Sequence, residues 1–258
     1  MAFPGLIGAR EAGDHRRPRT GGGHDLDAPE ALFFVHIPKC AGSSFRQVLK
    51  RWFGAEALFL DTHDEAELKG AADRLGAPPR AIAGHIPFGL HGELPVRPCY
   101  VSLVRHPLDR FVSFYKHARR TPTHPMHPAA SRLDLESFYD FSLNDARARG
   151  STVAVQCFFL SRGRAFEAAR EVIDRRYALL APTERYAEFV AACAERFGRA
   201  PPEAPARNVA ASTPDLDAAR TALEQRIARD HGEDLRLYHY VCETFDARRG
   251  SLSFALHA

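Results

Sequence analysis

The segment Ala31-Leu32-Phe33-Phe34-Val35-His36-Ile37 constrains the fold more than any other in the chain. It is apolar almost without interruption and shows no polar–apolar alternation, which fits a strand buried on both faces. Such strands belong to parallel sheets covered by helices on either side. Pro38 ends the run, since proline has no N–H to give a ladder. Small residues follow at Ala41, Gly42 and Ser43. Phe45, Val48, Leu49 and Trp52 then recur at helical spacing, with Ser43 or Ser44 as the expected cap. The order is strand, tight turn, helix.

The same alternation continues downstream. Further strands are expected at 80–85, 100–104 and 177–180, and helices at 64–75, 108–119, 132–148, 151–160, 164–175 and 184–197, the last capped by Thr183. Residues 121–130, with prolines at 122, 125 and 128, read as a surface loop. A Pro-rich stretch at 199–214 precedes a helical region from Asp215 to about Arg248. Strands alternating with helices predict an α/β fold: one doubly wound parallel sheet flanked by helices. In such sheets ligands sit beyond the carboxyl ends of the strands. His36, Lys39, His85 and Arg105 all fall at or just past predicted strand ends, so they are expected to share one crevice. The expected organisation is a disordered, Gly/Pro-rich lead-in over 1–30, one domain over 31–246 and a tail over 247–258.

Bulk properties narrow the function classes. A formal charge of +3 on 258 residues is too small to argue for nucleic acid or an anionic membrane as partner. No apolar run reaches the roughly 18 residues of a transmembrane helix. The five cysteines form neither a CxxC pair nor a disulfide framework, so a reducing cytoplasm is the expected compartment. The thirteen histidines show no metal spacing, and no metal is expected.

Two segments carry chemistry. In His36-Ile37-Pro38-Lys39-Cys40-Ala41-Gly42-Ser43-Ser44-Phe45 the small residues let the backbone approach a ligand, and the following helix points free amides and its positive end at it. Lys39 adds a charge, and Ser43 and Ser44 add donors. A Walker A loop would place the lysine after the last glycine; here it comes before, so an ordinary ATPase or kinase loop does not fit. In Val104-Arg105-His106-Pro107-Leu108-Asp109-Arg110-Phe111-Val112-Ser113-Phe114-Tyr115, Arg105 leaves a strand end and Ser113 lies two turns into a helix. The arginine fork suits a doubly charged phosphate.

Together these segments resemble the sulfotransferase superfamily. His36 to Phe45 is similar to the 5′-phosphosulfate loop HIPKTAGTSF of Golgi carbohydrate sulfotransferases and their bacterial relatives, with Cys40 and Ser43 where threonines are usual. Arg105 to Tyr115 matches every fixed position of the 3′-phosphate motif RxPxxRxxSxY. The resemblance implies a P-loop-like sulfotransferase fold that binds 3′-phosphoadenosine 5′-phosphosulfate (PAPS) as co-substrate, without a metal. Lys39, Cys40, Ala41, Gly42, Ser43, Ser44 and Phe45 would hold the 5′ end, and Arg105 and Ser113 the 3′-phosphate. Arg207, in a segment resembling a late loop that closes over the nucleotide, would add a contact.

Three catalytic roles follow from the resemblance. His85, in Gly84-His85, would take the acceptor hydroxyl's proton. Lys39 would stabilise charge on the departing oxygen, and Ser44 would hold Lys39 back until acceptor arrives. His36 is expected to brace the loop, Arg110 and Tyr115 to orient the helix, and Gln156 to touch acceptor or nucleotide. The acceptor implied is a hydroxyl on a saccharide or glycosylated metabolite. Golgi relatives carry an N-terminal anchor that is not evident here, which suits a soluble, bacterial-type enzyme. Two other readings remain open: a catalytically silent PAPS-binding protein, and a kinase or nucleotide hydrolase on a P-loop-like fold, which loss of activity to a chelator would favour.

Overall fold

A computed structural model describes residues 28–92, 94–202 and 214–254 of the chain. The apolar run forms strand β1, Glu30–Val35, and its residues from Ala31 onward are buried. Helix α1 (Gly42–Phe53), strand β2 (Ala57–Phe59), helix α2 (Glu65–Asp73) and strand β3 (Ala81–Gly84) follow in order. Strand β4 (Arg97–Val104) leads into helix α3, Pro107–Arg120. Helices α4 (His127–Ala130), α5 (Leu135–Asn144), α6 (Ala146–Thr152), α7 (Val155–Ser161) and α8 (Phe166–Arg176) then run to strand β5, Tyr177–Pro182. Helices α9 (Tyr186–Arg196), α10 (Pro214–Asp230) and α11 (Gly232–Phe254) complete the described chain.

The five strands form one parallel sheet in the order β2-β3-β1-β4-β5. The chain winds outward from β1 to one edge, returns through β3, and crosses β1 to reach β4. The reversal of direction therefore falls at β1, the position where doubly wound sheets open a crevice at their carboxyl ends. Register Val35↔Gly84 brings the ends of β3 and β1 level, while β4, paired at Val35↔Ser102, runs on to Val104. The expected fold class is the observed one.

Details differ from the sequence expectations for local physical reasons. Neither Ser43 nor Ser44 caps α1; the cap is Ala41, in the left-handed region at φ 57°, and it makes no side-chain bond. Thr183 does not cap a helix either: residues 183–185 form a 3-10 turn before α9 begins at Tyr186. The helix expected over 132–148 is two helices, because Asp145 accepts from the Ala148 amide and restarts the chain. Edge strand β2 has three residues, too few to show a period, and no sequence signal marked it. The segment 121–130 is tied down rather than open: Tyr115 Oη donates to Leu133 O at 2.8 Å, and His127 Nδ1 lies 3.0 Å from Ala118 O. Arg207 and the lead-in through residue 27 lie outside the described residues.

A core of Phe34, Phe45 and Phe189 clamps α1 and α9 to one face of the sheet, with Phe45 centroids 4.8 Å from Phe34 and 4.9 Å from Phe189. Gly84, the last residue of β3, sits against a backbone carbonyl: a Cβ there would lie 1.4 Å from Leu60 O. Gly70, within α2, has its nearest atom at 3.6 Å, ordinary contact distance. We therefore expect Gly84→Ala to destabilise the chain by about 2–4 kcal/mol in urea unfolding, since backbone must move. Gly70→Ala is expected to stabilise it by about 0.5–1 kcal/mol through helix propensity. Equal midpoints for the two variants would contradict the close approach at Gly84.

Candidate active site

The loop after β1 is shaped by two residues in unusual conformations. Ile37-Pro38-Lys39-Cys40 closes on a Cys40 N–H to Ile37 O bond of 3.2 Å, with proline second and Lys39 third at φ 70°. That is the pattern of a type II turn, which normally asks for glycine or asparagine at the third position. Ala41 follows at φ 57°. Two non-glycine residues held left-handed cost roughly 1–3 kcal/mol each, so the surrounding packing must impose them. The result is a tight hook that ends at the N-terminus of α1, whose first turn accepts no side-chain cap.

His36 explains why position 42 is glycine. A Cβ at Gly42 would fall 1.8 Å from the His36 ring, so the imidazole fills the space that any side chain there would need. The ring is buried and stacks on His85, centroids 4.1 Å apart. Burial, aided by His85 beside it, holds the His36 imidazole well below its ordinary value, and it stays neutral. The expected bracing role is what the packing shows.

His85 Nδ1 lies 2.7 Å from the His36 carbonyl oxygen. A carbonyl only accepts, so Nδ1 carries the proton, and the neutral ring has its lone pair on Nε2. The His85 amide donates to Asp61 Oδ1 at 2.9 Å, and Arg46 reaches the same oxygen at 3.2 Å. Burial lowers the His85 pKa below 6.5, opposed by Asp61 and by the bond to His36. The imidazole is thus fixed in orientation, tautomer and charge.

Lys39 and Arg105 meet at the ends of neighbouring strands. Arg105 Nη1 lies 3.4 Å from the Lys39 carbonyl oxygen. Burial first, then Arg120 and Arg105, lower the Lys39 pKa to about 8. Among the described residues neither Lys39 nor Arg105 forms an ion pair with a carboxylate. Lys39 in turn helps to lower the pKa of His117, which burial and its neighbours bring to about 4.

The remaining expected site residues divide by placement. Ser44 and Ser113 are half-buried and Ser43 is exposed. Phe45 belongs to the core, and its amide donates to Ala41 O at 3.3 Å, so neither ring nor amide is turned to a ligand. The Cys40 thiol points inward to Gln156 Oε1 at 3.5 Å, and burial pushes its pKa up to about 12. Gln156 is not an outward-facing contact either: it is fully buried and grips Arg105, accepting from its N–H at 2.9 Å and donating to its carbonyl at 2.9 Å. Arg110 is buried and bonded to the Thr152 and Ser151 carbonyls, the orienting role expected of it.

Several groups near the crevice were not singled out in the sequence. Asp61 had no motif around it. His63 sits near His85, with its ring 6.1 Å from Phe158 and 6.0 Å from Phe159. Asp234 is fully buried on α11 and accepts from the Gln156 and Cys157 amides at the start of α7. A buried acid nearly eighty residues away from its partners leaves no local pattern to read.

No curated protein matches the chain. Among solved structures, a sulfotransferase from Alicyclobacillus acidocaldarius is similar at 17% identity and a TM-score of 0.46, covering 82% of this chain and 96% of that one. The model of the sulfotransferase family matches residues 25–158, which contain β1, the hook, both histidines, Arg105 and α3. That match extends over half of the sequence, and by it the chain belongs to the sulfotransferase family.

Proposed function

We propose that this sulfotransferase uses PAPS and moves its sulfonate to a hydroxyl on a saccharide or glycosylated acceptor, within one unit over residues 31–246. The observation that carries the reading is the pair of cations at the crevice, Lys39 and Arg105. The Arg105 guanidinium lies 3.4 Å from the Lys39 backbone carbonyl, and among the described residues neither cation forms an ion pair with a carboxylate. Two uncompensated cations beside an uncapped helix start suit a ligand with two separate anionic groups. Lys39, the backbone amides of 41–43 and the Ser44 hydroxyl would hold the 5′ end, since the amides of Cys40 and Ser44 are already committed within the hook, and Arg105 and Ser113 the 3′-phosphate, with Arg207 as a further nucleotide contact. PAPS supplies the sulfonate and a stable leaving group.

The protein's own groups supply the rest. His85 Nε2 takes the proton of the acceptor hydroxyl, because Nδ1 is committed to the His36 carbonyl. The Lys39 ammonium stabilises negative charge that builds on the departing oxygen, an interaction stronger in the transition state than before it. Ser44, half-buried one turn from the hook, holds Lys39 away until acceptor binds.

Calorimetric titration with 3′-phosphoadenosine 5′-phosphate (PAP), with ADP as control, tests the anion sites. Wild type is expected to bind PAP more tightly than ADP, and Arg105→Ala to lose that preference, a change on the order of 30–100-fold for one charge-assisted bidentate contact. Equal binding of PAP and ADP by wild type would remove the reading.

A pH profile of kcat/KM, followed as PAP release from PAPS with a saccharide panel, tests the base. Activity needs His85 neutral, so it falls as pH drops through a value below 6.5. It also needs Lys39 charged, so it falls as pH rises through about 8. His85→Gln is expected to lower kcat by about 10²–10⁴-fold and to abolish the acid limb. An acid limb that survives in this variant would place the base elsewhere.

A further inference from the structure

The two anion loops leave the sheet from neighbouring strands, and the β1–β4 pairing ends at Val35↔Ser102, before either loop begins. Beyond that point the Arg105 guanidinium reaches the Lys39 carbonyl at 3.4 Å, and a second, fully buried side chain spans both loops. Gln156 Oε1 accepts from the Arg105 N–H at 2.9 Å and from the Cys40 thiol at 3.5 Å, while Nε2 donates to the Arg105 carbonyl at 2.9 Å. The carboxamide therefore makes a closed two-point contact with the backbone of one loop and a third contact with the other. It is fully buried, where a hydrogen bond has no water to replace it.

Gln156 is itself held. Its amide and that of Cys157 donate to the two oxygens of Asp234 at 3.2 and 3.0 Å, which anchors the start of α7 to α11. Ala154, at φ 49°, turns the chain into that start. The Asp234 carboxyl is pushed up by burial, opposed by the Arg110 guanidinium and by these amides. Arg110 belongs to α3, the helix that Arg105 leads into.

We propose that Gln156 is a positioning residue that sets the span between the two anion sites, fixing Arg105 relative to the Lys39 hook before ligand arrives. The inference rests on the reading of Arg105 as the 3′-phosphate group. A nucleotide carries its two anionic ends at a separation set by the ribose, so a fixed span favours a ligand bearing both. A ligand with the 5′ end alone gains nothing from it. Losing Gln156 should therefore weaken PAP far more than ADP.

The test is titration of the full chain with PAP and with ADP, on wild type, Gln156→Met and Gln156→Glu, between pH 5.5 and 8, with thermal unfolding alongside. Gln156→Met keeps the volume and loses all three bonds, and its PAP-over-ADP preference should fall by about tenfold. Gln156→Glu is the discriminating variant. Its carboxyl, when neutral, offers one acceptor and one O–H donor and reproduces the grip on Arg105; when ionised, it sets an anionic oxygen against the Arg105 carbonyl. Burial raises that carboxyl's pKa, so the preference should match wild type within about threefold at pH 5.5 and fall about tenfold by pH 8, each read against wild type at the same pH. This holds even if the methionine variant does not fold.

A wild-type-like preference at every pH in Gln156→Glu, or a loss that does not depend on pH, overturns the inference while leaving the Arg105 reading intact. A wild type that does not prefer PAP overturns both.

Discussion

His36 donates its amide proton to the Gly84 carbonyl at 3.0 Å, accepts the His85 Nδ1 proton on its own carbonyl at 2.7 Å, and lays its ring in the space a side chain at position 42 would fill. One residue thus fixes three pieces of chain: the end of β3, the catalytic candidate that follows it, and the start of α1. Each contact limits a neighbour. The ring forces glycine at 42 for steric reasons, since the residue is helical and not left-handed. The carbonyl chooses the His85 tautomer. Burial keeps His36 neutral, so the centre of the crevice gains a rigid aromatic surface without gaining a charge.

Charge is gathered beside that neutral centre. Burial lowers the Lys39 pKa and the nearby Arg120 and Arg105 lower it further, and His117 and His124 feel Lys39 in turn. Like charges kept together in a half-buried site are unfavourable in the free protein. An anion entering the crevice removes that penalty and raises the Lys39 pKa, so on the proposed reading ligand binding restores the ammonium that transfer requires. The left-handed Lys39 and Ala41 add backbone strain at the same place, where the Ala41 carbonyl accepts from the Ser44 and Phe45 amides at 3.1 and 3.3 Å.

What could be read in the sequence follows the range of the interactions. β1 was legible because burial on both faces writes an unbroken apolar run, and the crevice was legible because strand ends bring Lys39, His85 and Arg105 together by topology. The cap of α1 was misread: Ser43 and Ser44 have capping chemistry, but the turn at Lys39 and Ala41 had already set where the helix starts. β2 escaped because three residues carry no period, and its place is fixed by pairing with β3. Gln156 was taken for an outward contact because resemblance gives position along a chain. Its inward grip depends on Asp234, which only the packing of α11 brings near.

The two sides of the crevice are built differently. The side with Lys39 and Arg105 rests on adjacent central strands and on buried hydrogen bonds through Gln156, so its geometry is inherited from the sheet. The side beyond His85 lies away from the strand ends: His63 is exposed, Phe158 is half-buried on α7, and Arg162 stands at φ 64° just past that helix. Arg164 lies over Phe158 at 5.2 Å and is held by the Gly150 and Val153 carbonyls, in α6 and just past its end. A sheet fixes what lies at its strand ends, while loops are free to change length and composition. On the proposed reading the donor, whose two anionic ends have a fixed separation, belongs to the first side, and the acceptor to the second. On that reading the fold constrains the sulfonate donor strongly and the acceptor weakly.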